Sequence, residues 1–306
     1  NIKLRKIAVK KNWKINEYGI YKGKKKIAGK TEKEVFKKLG LKYVEPELRE
    51  DTGEIEASGN NKLPKLIELK DIQGDLQTHS KYSDGKYNIE DMVNAARDLG
   101  YSYYAVTDHS KQVTVANGLD EKRLKKQLEE IDKLNEKIKG IQILKSIEVD
   151  ILKDGTLDLS DDILKELDLV VCSIHYNQNL SSKKQTERVL KAMDKKHFNI
   201  FAHPTGRLIN SRKPYEIDIE KVMKEALKKG CFLELNASPE RLDLSDTNVK
   251  IAKQLDLKLS VSTDAHTINQ LKNMRHGISQ ARRGWLEKDD VINTRPWSKL
   301  KKLLKR

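Results

Sequence analysis

Eight side chains that can bind a metal ion stand at or just after the ends of short apolar segments in this sequence. They are histidines, aspartates and one glutamate, and they include five of the chain's seven histidines. Imidazole and carboxylate groups together suit zinc, manganese or iron, and a carboxylate can bridge two ions. The eight candidate ligands are His79, Asp84, His109, Glu148, His175, His203, Asp264 and His266.

The apolar segments are predicted strands, and amphipathic helical patterns lie between them. Residues 119–138 and 216–229 place apolar side chains at spacings of three and four, Gly230 ends the second pattern, and Asn88 can cap another helix. Seven strands alternating with helices predict parallel βα units, and a closed or distorted barrel fits the length better than an open sheet. The predicted strands are residues 75–79, 104–109, 144–150, 170–175, 199–203, 232–236 and 260–266.

This arrangement decides between a structural and a functional interpretation of the eight residues. A single histidine at a strand end is more often a hydrogen-bonded structural residue than a ligand. In a parallel barrel, however, the carboxyl ends of all strands share one face, and that face carries the active site. Because eight ligand-type residues fall on this one face, the sequence predicts a metal site there.

The residues before the barrel predict a small separate piece. Residues 16–29 have the pattern of a hairpin, and Thr31 with Glu34 forms a capping box for a short helix that ends near Gly40. Residues 45–62 are polar and have no periodic pattern, which is typical of a linker. We therefore divide the chain into an α+β piece at 1–44, a linker at 45–66 and the barrel at 67–306.

Composition excludes several classes of protein. Charged residues make up 35% of the chain, and no segment approaches the roughly 18 uncharged apolar residues that a membrane helix needs. The N-terminus has basic residues but no continuous apolar core, so it is not a signal peptide. Cys172 and Cys231 both lie in apolar runs and are predicted to be reduced core thiols. These features predict a cytoplasmic protein without a membrane partner.

The net charge of +15 is concentrated at the two ends of the chain. Residues 1–30 have a balance of +10 and residues 271–306 a balance of +8, so the remainder is near −3. Basic ends around a neutral body favour two surfaces that bind a polyanion. Ordinary solubilising lysines explain the charge alone equally well.

The barrel segments resemble the motifs of the polymerase and histidinol phosphatase (PHP) superfamily, in the same order, over roughly residues 70–290. The segments that carry the resemblance are GDLQTHSKYSDG, YYAVTDHS, GIQILKSIEVDIL, LVVCSIH, FAHPTG and SVSTDAH. The resemblance implies a distorted seven-stranded β/α barrel with two to three divalent ions, Mn²⁺ or Zn²⁺ or else Fe²⁺.

The same resemblance implies how the ions are divided. His79, Glu148 and Asp264 would hold the first ion. Glu148, His175 and His203 would hold the second, with Glu148 as the bridge, and Asp84, His109 and His266 would hold the third. The usual His-x-His motif here reads Gln77-Thr78-His79, so Gln77 would offer a neutral amide oxygen and the first ion would bind more weakly.

The N-terminal piece resembles the thumb end of family X DNA polymerases, in which a PHP barrel follows the polymerase. The segments NIKLRKIA, NEYGIYKGKKKIAGKTEKEVFKKLGL and EPELRE carry this resemblance, and Asn1 would fall in the thumb's nucleotide-contacting helix. The chain therefore resembles the C-terminal part of such a polymerase, with upstream polymerase domains and DNA as partners. We find no strand-borne Asp-x-Asp pair in this sequence, so polymerase activity is not expected from this chain alone.

These observations predict a metal-dependent phosphoesterase that acts on DNA 3′ ends, gapped or single-stranded, in DNA repair. Water, its pKa lowered by the ions, would attack phosphorus in line, with Glu148 and Asp264 at the reacting centre. Arg207 and Arg241 follow strands on the same face and could clamp phosphate, and Asn236 could bind substrate or cap its strand. The alternatives are a small-molecule phosphatase of the histidinol phosphatase type and a non-catalytic, metal-stabilised scaffold for a polymerase.

Overall fold

The computed structural model of the chain describes residues 2–305, so Asn1 and its expected place in a thumb helix lie outside the described residues. The chain folds into two compact units that meet in sequence between Lys65 and Leu66. No helix within 2–305 is long and apolar enough to cross a membrane. Cys172 and Cys231 are both buried thiols, in line with the sequence prediction.

The first unit is a small α+β fold. Its three-stranded antiparallel sheet is flanked by helices, and its core includes Ala8, Ile20, Ala28 and Leu39. The capping box is formed: Thr31 Oγ1 accepts from Glu34 N at 3.2 Å, and Gly40 ends the helix in the left-handed region. The elements are α1 (Ile2–Lys10), β1 (Lys14–Asn16), β2 (Gly19–Lys22), β3 (Lys25–Ala28), α2 (Glu32–Leu39), a 3₁₀ helix (Pro46–Leu48) and α3 (Glu54–Gly59).

The segment predicted as a linker differs from that prediction. Within it lie the 3₁₀ helix and α3, and its residues up to Lys65 belong to the first unit. Leu48 and Glu54 are buried, and Ser58 Oγ donates to Lys42 O at 2.6 Å. Separate buried residues hold this segment to the first unit. Because these residues are not spaced at a helical period, they leave no pattern in the sequence.

The second unit is the predicted α/β barrel. Its seven strands are all parallel and neighbour one another in chain order, as the strand–helix alternation predicted. The strands are β4 (Gly74–Asp75), β5 (Tyr103–Val106), β6 (Gln142–Asp150), β7 (Leu169–Ser173), β8 (Ile200–Phe201), β9 (Phe232–Asn236) and β10 (Leu259–Ser262).

Side chains close the barrel between its first and last strands. The buried Asn293 inserts there, donating to Gly74 O at 2.8 Å and to Val261 O at 2.7 Å and accepting from Val261 N at 3.0 Å. Farther along, a parallel bridge joins Thr78 to Ala265. The barrel is therefore nearly closed, although β4 and β10 share no regular ladder among the described residues.

Helices surround the barrel and bury their apolar faces against it. The predicted caps are formed: Asn88 accepts from Asp91 N at 2.8 Å, and Gly230 adopts a left-handed conformation after α8. The helices are α4 (Ile89–Asp98), α5 (Glu121–Lys137), α6 (Asp161–Leu164), α7 (Ser182–Ala192), α8 (Ile219–Lys229), α9 (Asp246–Gln254), α10 (Met274–Arg283) and α11 (Trp297–Leu303). Short 3₁₀ helices cover Leu69–Asp71, Thr114–Ala116, Ile268–Asn273, Lys288–Asp290 and Ile292–Thr294.

Candidate metal centre

The eight candidate ligands converge at the carboxyl ends of the barrel strands. Only Glu148 lies inside a strand, β6, whereas the others follow strands that are shorter than predicted. His79 stands four residues beyond β4, and His203 stands two residues beyond β8. The face was therefore predicted correctly, but most of its side chains are carried by the first residues of the loops.

Glu148 is the centre of the cluster. Its Oε1 lies 2.9 Å from His203 Nε2 and 3.6 Å from His175 Nε2. Its Oε2 lies 3.1 Å from His109 Nδ1 and 3.5 Å from His79 Nε2. One carboxylate thus faces four imidazoles, two on each oxygen, so each oxygen has its own imidazole partners for an ion.

The ligand atoms fall into three groups, each within a span of 4.8 Å. The first group is His79, Glu148 and Asp264, the same three that the family resemblance implied. The other two groups differ by one residue each from the implied sets. His109 stands with Glu148 and His175 where His203 was expected, and His79 joins Asp84, His109 and His266.

The buried polar atoms of the cluster fit a cation. His79 Nδ1, His109 Nδ1 and Glu148 Oε2 are buried and have no hydrogen-bond partner among the described residues. Burial lowers the pKa of His109 to about 3, so its imidazole is neutral at physiological pH. Burial alone would raise the pKa of Glu148, but the surrounding imidazoles hold it well below its ordinary value. Neutral imidazoles and ionised carboxylates are the forms that bind metal ions.

At the solvent side the pKa of the carboxylate is again low, whereas the pKa of the imidazole is raised. Burial raises the pKa of Asp264, but the hydrogen bond with His79 and the charge of His266 together hold it well below the usual range. His266 Nε2 lies 3.4 Å from Asp84 Oδ2, and this contact raises the pKa of His266 to about 9 against the opposing effect of burial. The most exposed side chains of the cluster are Asp84 at 35% and His266 at 27%, so the mouth lies beside them.

Two candidate ligands have an unusual backbone conformation. His203 has φ 30° and Asp264 has φ 55°, values that residues with a side chain seldom adopt. His203 N donates to the buried Glu234 at 2.8 Å, and Asp264 N donates to Gln77 O at 3.0 Å. Non-glycine residues held in this region are concentrated at functional sites.

Asp150 is a side chain of this cluster that the sequence analysis missed. Its Oδ1 accepts from His175 N at 2.9 Å and lies 3.0 Å from His175 Nδ1. This bond opposes the effect of burial and raises the pKa of His175. It also directs Nε2 of that ring toward Glu148, the arrangement by which a carboxylate orients a metal-binding histidine. The signal available was the spacing Glu148-x-Asp150, which places both side chains on one face of a strand.

Asp108 holds the loop that carries Asp84. It is fully buried and accepts from the backbone N–H and the hydroxyl of both Ser80 and Ser83, and from Gln127 Nε2 at 2.6 Å. Gly85 lets the loop turn back on itself, because a Cβ there would lie 2.6 Å from Ser80 N. The buried Asp108 carboxylate therefore holds the loop in place.

Gln77 and Asn236 differ in what their amides do. Gln77 is buried, and neither its Oε1 nor its Nε2 has a hydrogen-bond partner among the described residues. Asn236 Nδ2 donates to Glu234 at 3.2 Å and to Asp264 Oδ2 at 3.1 Å, and its Oδ1 accepts from Ser238 N. Asn236 thus positions Asp264, and Gln77 keeps an amide oxygen that an ion could use.

The two candidate phosphate clamps are placed differently. Arg241 Nε lies 3.5 Å from Asp264 Oδ2, and its Nη1 is buried without a hydrogen-bond partner among the described residues. Arg207 Nε instead donates to Arg241 O at 2.8 Å, and its Nη2 donates to Leu242 O. The structure brings Arg241 to the cluster, whereas Arg207 holds the backbone of the Arg241 loop, and its expected direct contact with phosphate stays a prediction.

Family models match both units. The model of the DNA polymerase beta thumb matches residues 1–50, and the model of the PHP domain matches residues 75–238. The chain belongs to the PHP domain family. PHP domains bind divalent metal ions, and this PHP barrel presents the His, Asp and Glu cluster that such ions need.

Two curated relatives resemble the chain over different lengths. The DNA polymerase/3′-5′ exonuclease PolX of Bacillus subtilis is 43% identical over 309 residues, which cover 100% of this chain and 54% of that protein. A Thermoanaerobacter protein named probable phosphatase is 30% identical over 242 residues, covering 76% of this chain and 94% of that protein. The chain therefore spans about half the length of the polymerase relative and nearly the whole phosphatase relative.

A solved structure supports the fold. The crystal structure of a candidate histidinol phosphatase from Listeria monocytogenes superposes with a TM-score of 0.52 and 16% identity, covering 65% of this chain and 97% of that chain. At this identity the match confirms the PHP barrel and carries nothing about the substrate.

Proposed function

We propose that this chain is a metal-dependent phosphoesterase that removes nucleotides from DNA 3′ ends. The observation that carries the proposal is the convergence of eight ligand-type side chains around the shared carboxylate of Glu148. A hydrolytic centre of this composition suits a phosphate ester. The thumb match over residues 1–50 and the 3′-5′ exonuclease relative favour DNA as that ester.

The residues of the cluster have distinct proposed roles. His79, Glu148 and Asp264 would hold one ion; Glu148, His175 and His203 a second; and Asp84, His109 and His266 a third, with His79 and His109 close enough to be shared. Divalent ions at these places, two to three of Mn²⁺, Zn²⁺ or Fe²⁺, would neutralise phosphate charge and lower the pKa of the attacking water. Gln77 adds an amide oxygen on the His79 side.

Arg241 is the proposed phosphate-binding side chain. It reaches the cluster beside Asp264, and its buried Nη1 donates to no group within residues 2–305. A guanidinium in this place can donate to a nonbridging phosphate oxygen and hold the ester for in-line attack. Arg207 supports this geometry by holding the backbone carbonyls of residues 241 and 242.

The two units have separate proposed roles. Residues 1–65 would form a thumb-derived unit that contacts DNA through its excess of basic residues, and residues 66–306 would perform the hydrolysis. In a longer protein of the PolX type, polymerase domains would precede residue 1. DNA processing of this kind would take place in the cytoplasm of a bacterium.

A small-molecule phosphatase is the second candidate function. The Thermoanaerobacter phosphatase relative, matched over nearly its whole length, favours it. The two functions differ in the phosphate ester that is hydrolysed. A DNA 3′-end enzyme cleaves a diester within a polymer, whereas a small-molecule phosphatase cleaves a monoester. The basic N-terminal unit favours the polymer, because a free metabolite does not need it.

A side-by-side assay tests the proposal. The purified chain is reconstituted with Mn²⁺ and given 5′-labelled single-stranded and gapped DNA, DNA with a 3′ phosphate, and histidinol phosphate. We expect stepwise shortening of the DNA from its 3′ end. The matched control is the Glu148→Gln variant, which keeps the shape of the side chain and removes the shared charge.

Two outcomes contradict the proposal. Turnover of histidinol phosphate with intact DNA would assign the site to a metabolite phosphatase. Shortening that persists undiminished in the Glu148→Gln variant would mean that a contaminating nuclease, and not this cluster, performs the reaction.

A further inference from the structure

Two loops border the mouth of the metal centre and carry a surface that the proposed reaction does not use. We call it the rim surface: Lys81, Lys86 and Tyr87 after β4, with Lys111 and Val115 after β5. Lys86 stands two residues after Asp84, and its N–H donates to His266 O at 2.8 Å. Because Asp84 and His266 are the most exposed members of the cluster, the rim surface adjoins the entrance.

The two loops are fixed to each other. Arg123 Nη1 donates to Asn117 O at 2.6 Å and to Gly118 O at 3.0 Å in the second loop, while its Nη2 donates to Tyr82 O in the first. Within the first loop, Lys81 N donates to Tyr87 O at 2.9 Å. A surface held in this way needs little ordering when a ligand binds.

The charge of the rim surface is unbalanced. The ammonium groups of Lys81, Lys86 and Lys111 are exposed and make no ion pair within residues 2–305. The one carboxylate in residues 80–87 and 110–119 is Asp84, which belongs to the cluster. By contrast, the loops after β8 and β9 mix Arg212 and Lys213 with Glu216 and Glu240. Carboxylates from other elements also contact the two loops: Glu130 accepts from Tyr82 Oη at 2.6 Å, and Asp158 accepts from Gln112 N at 2.9 Å. The three lysines themselves nevertheless form no ion pair with them among the described residues.

Apolar side chains are exposed among these lysines. Val115 is 91% exposed and Tyr87 is 38% exposed, and the Tyr87 ring has no ring contact or hydrogen bond among the described residues. Ammonium groups that interleave with an exposed aromatic ring match a single nucleic acid strand, whose phosphates need cations and whose bases need a stacking surface.

We propose that the rim surface binds the single-stranded nucleotides that precede the scissile bond of a DNA substrate. Lys81, Lys86 and Lys111 contact their phosphates, and Tyr87 stacks on a base. This inference rests on the proposed 3′-end activity and gives it a direction: the strand leaves the metal centre over the β4 and β5 loops. It also gives the PHP barrel a DNA contact of its own, separate from the basic chain ends.

The test compares substrates that do and do not reach the rim surface. The full chain with Mn²⁺ is assayed on a short 5′-labelled single strand and on bis(4-nitrophenyl) phosphate over a series of salt concentrations. Each lost phosphate contact makes the negative slope of log(kcat/KM) against log(salt) shallower by about 0.7, so K81Q/K86Q/K111Q should reduce its magnitude by about 2. Tyr87→Ala should raise the KM for DNA at least about fivefold, the lower limit for a lost stacking contact.

The matched control is Lys213→Gln. Lys213 is also exposed, follows a barrel strand on the same face and makes no ion pair within residues 2–305. We expect this variant to keep the wild-type salt slope, and we expect every variant to hydrolyse bis(4-nitrophenyl) phosphate at the wild-type rate. Unchanged turnover of the small ester also shows that the variants are folded and loaded with metal.

Three results separate this inference from the proposed function. A triple variant with the same salt slope as Lys213→Gln overturns the inference. A triple variant whose kcat/KM falls by the same factor on the DNA strand and on bis(4-nitrophenyl) phosphate also overturns it. If the wild-type chain hydrolyses only the small ester, the proposed function fails. Fluorescence anisotropy then measures whether the rim surface binds a fluorescently labelled single strand. Weaker binding by the triple variant than by Lys213→Gln then supports the rim surface, and equal binding overturns it.

Discussion

Replacing Asp150 by asparagine should weaken the binding of the ion at His175 without unfolding the barrel. The side chain is buried, and its Oδ1 receives both His175 N at 2.9 Å and His175 Nδ1 at 3.0 Å. Asparagine has the same shape and can keep its oxygen in this place, so both contacts can persist. What is lost is the negative charge that makes the imidazole a stronger electron donor to a metal ion.

The magnitude follows from the change in hydrogen-bond type. A hydrogen bond to a charged group contributes about 1.5–3 kcal/mol and a neutral one about 0.5–1.5 kcal/mol. The difference of about 1–1.5 kcal/mol corresponds to roughly tenfold weaker binding. Substitutions of this type behind metal-binding histidines cost about 10- to 100-fold. We therefore expect about a tenfold loss of affinity at one ion and little change at the others.

The assay is a titration of the metal-free chain with Zn²⁺ against a chelating dye, together with activity measured over a range of Mn²⁺ concentrations. Activity of Asp150→Asn should return toward the wild-type value at high Mn²⁺. The matched control is Asp154→Asn, since Asp154 is exposed on the following loop and its side chain accepts from Thr156 rather than from any residue of the cluster. Wild-type affinity for every ion in Asp150→Asn would refute the reasoning, as would an activity loss that excess metal does not restore.

Three further predictions follow from the structure. Glu148→Gln should bind at least one ion fewer than the wild-type chain by elemental analysis, because one carboxylate serves two groups; an unchanged ion count would contradict this. Asp108→Ala should lower the free energy of unfolding, measured by urea denaturation in the presence of EDTA, by about 3 kcal/mol, because it leaves several buried donors without an acceptor. A loss below about 1 kcal/mol would argue against a stabilising role for these hydrogen bonds. The chain should shorten a labelled primer on gapped DNA but not extend it with dNTPs, since residues 2–65 present no strand-borne Asp-x-Asp pair; extension that persists in His203→Ala would reveal a polymerase site.

The sequence predicted the barrel and its metal face because both depend on repeated patterns. Each strand is a short apolar run, and six of the seven runs carry a ligand-type residue near or just after their ends, so the parallel topology brings these residues together whatever the length of the strand. The strands proved shorter than predicted. β8 and β10 each end two residues before the ligand, and the ligands His203 and Asp264 themselves have positive φ values that an extended strand does not allow.

The supporting residues could not be predicted in the same way. Asp150 and Asp108 look in sequence like other acidic residues near strand ends, and only the structure shows which donors their carboxylates accept. Arg207 has the same sequence context as Arg241, but two of its donors bond main-chain carbonyls. Such roles depend on distances of a few ångströms between loops that are far apart in sequence, and a pattern of residue types carries no such distances.

The metal centre and the closure of the barrel depend on the same residues. β4 has two residues and shares no regular ladder with β10 among the described residues, so this seam depends on separate contacts rather than on a continuous ladder. At the seam His79 N donates to Ala265 O at 2.8 Å, and Asp264 N donates to Gln77 O at 3.0 Å. These contacts place His79 Nε2 3.0 Å from Asp264 Oδ1, one ligand from each edge. An ion held by both would cross-link the first and last strands, which gives a physical reason why ligands from the two ends of the barrel sequence meet there.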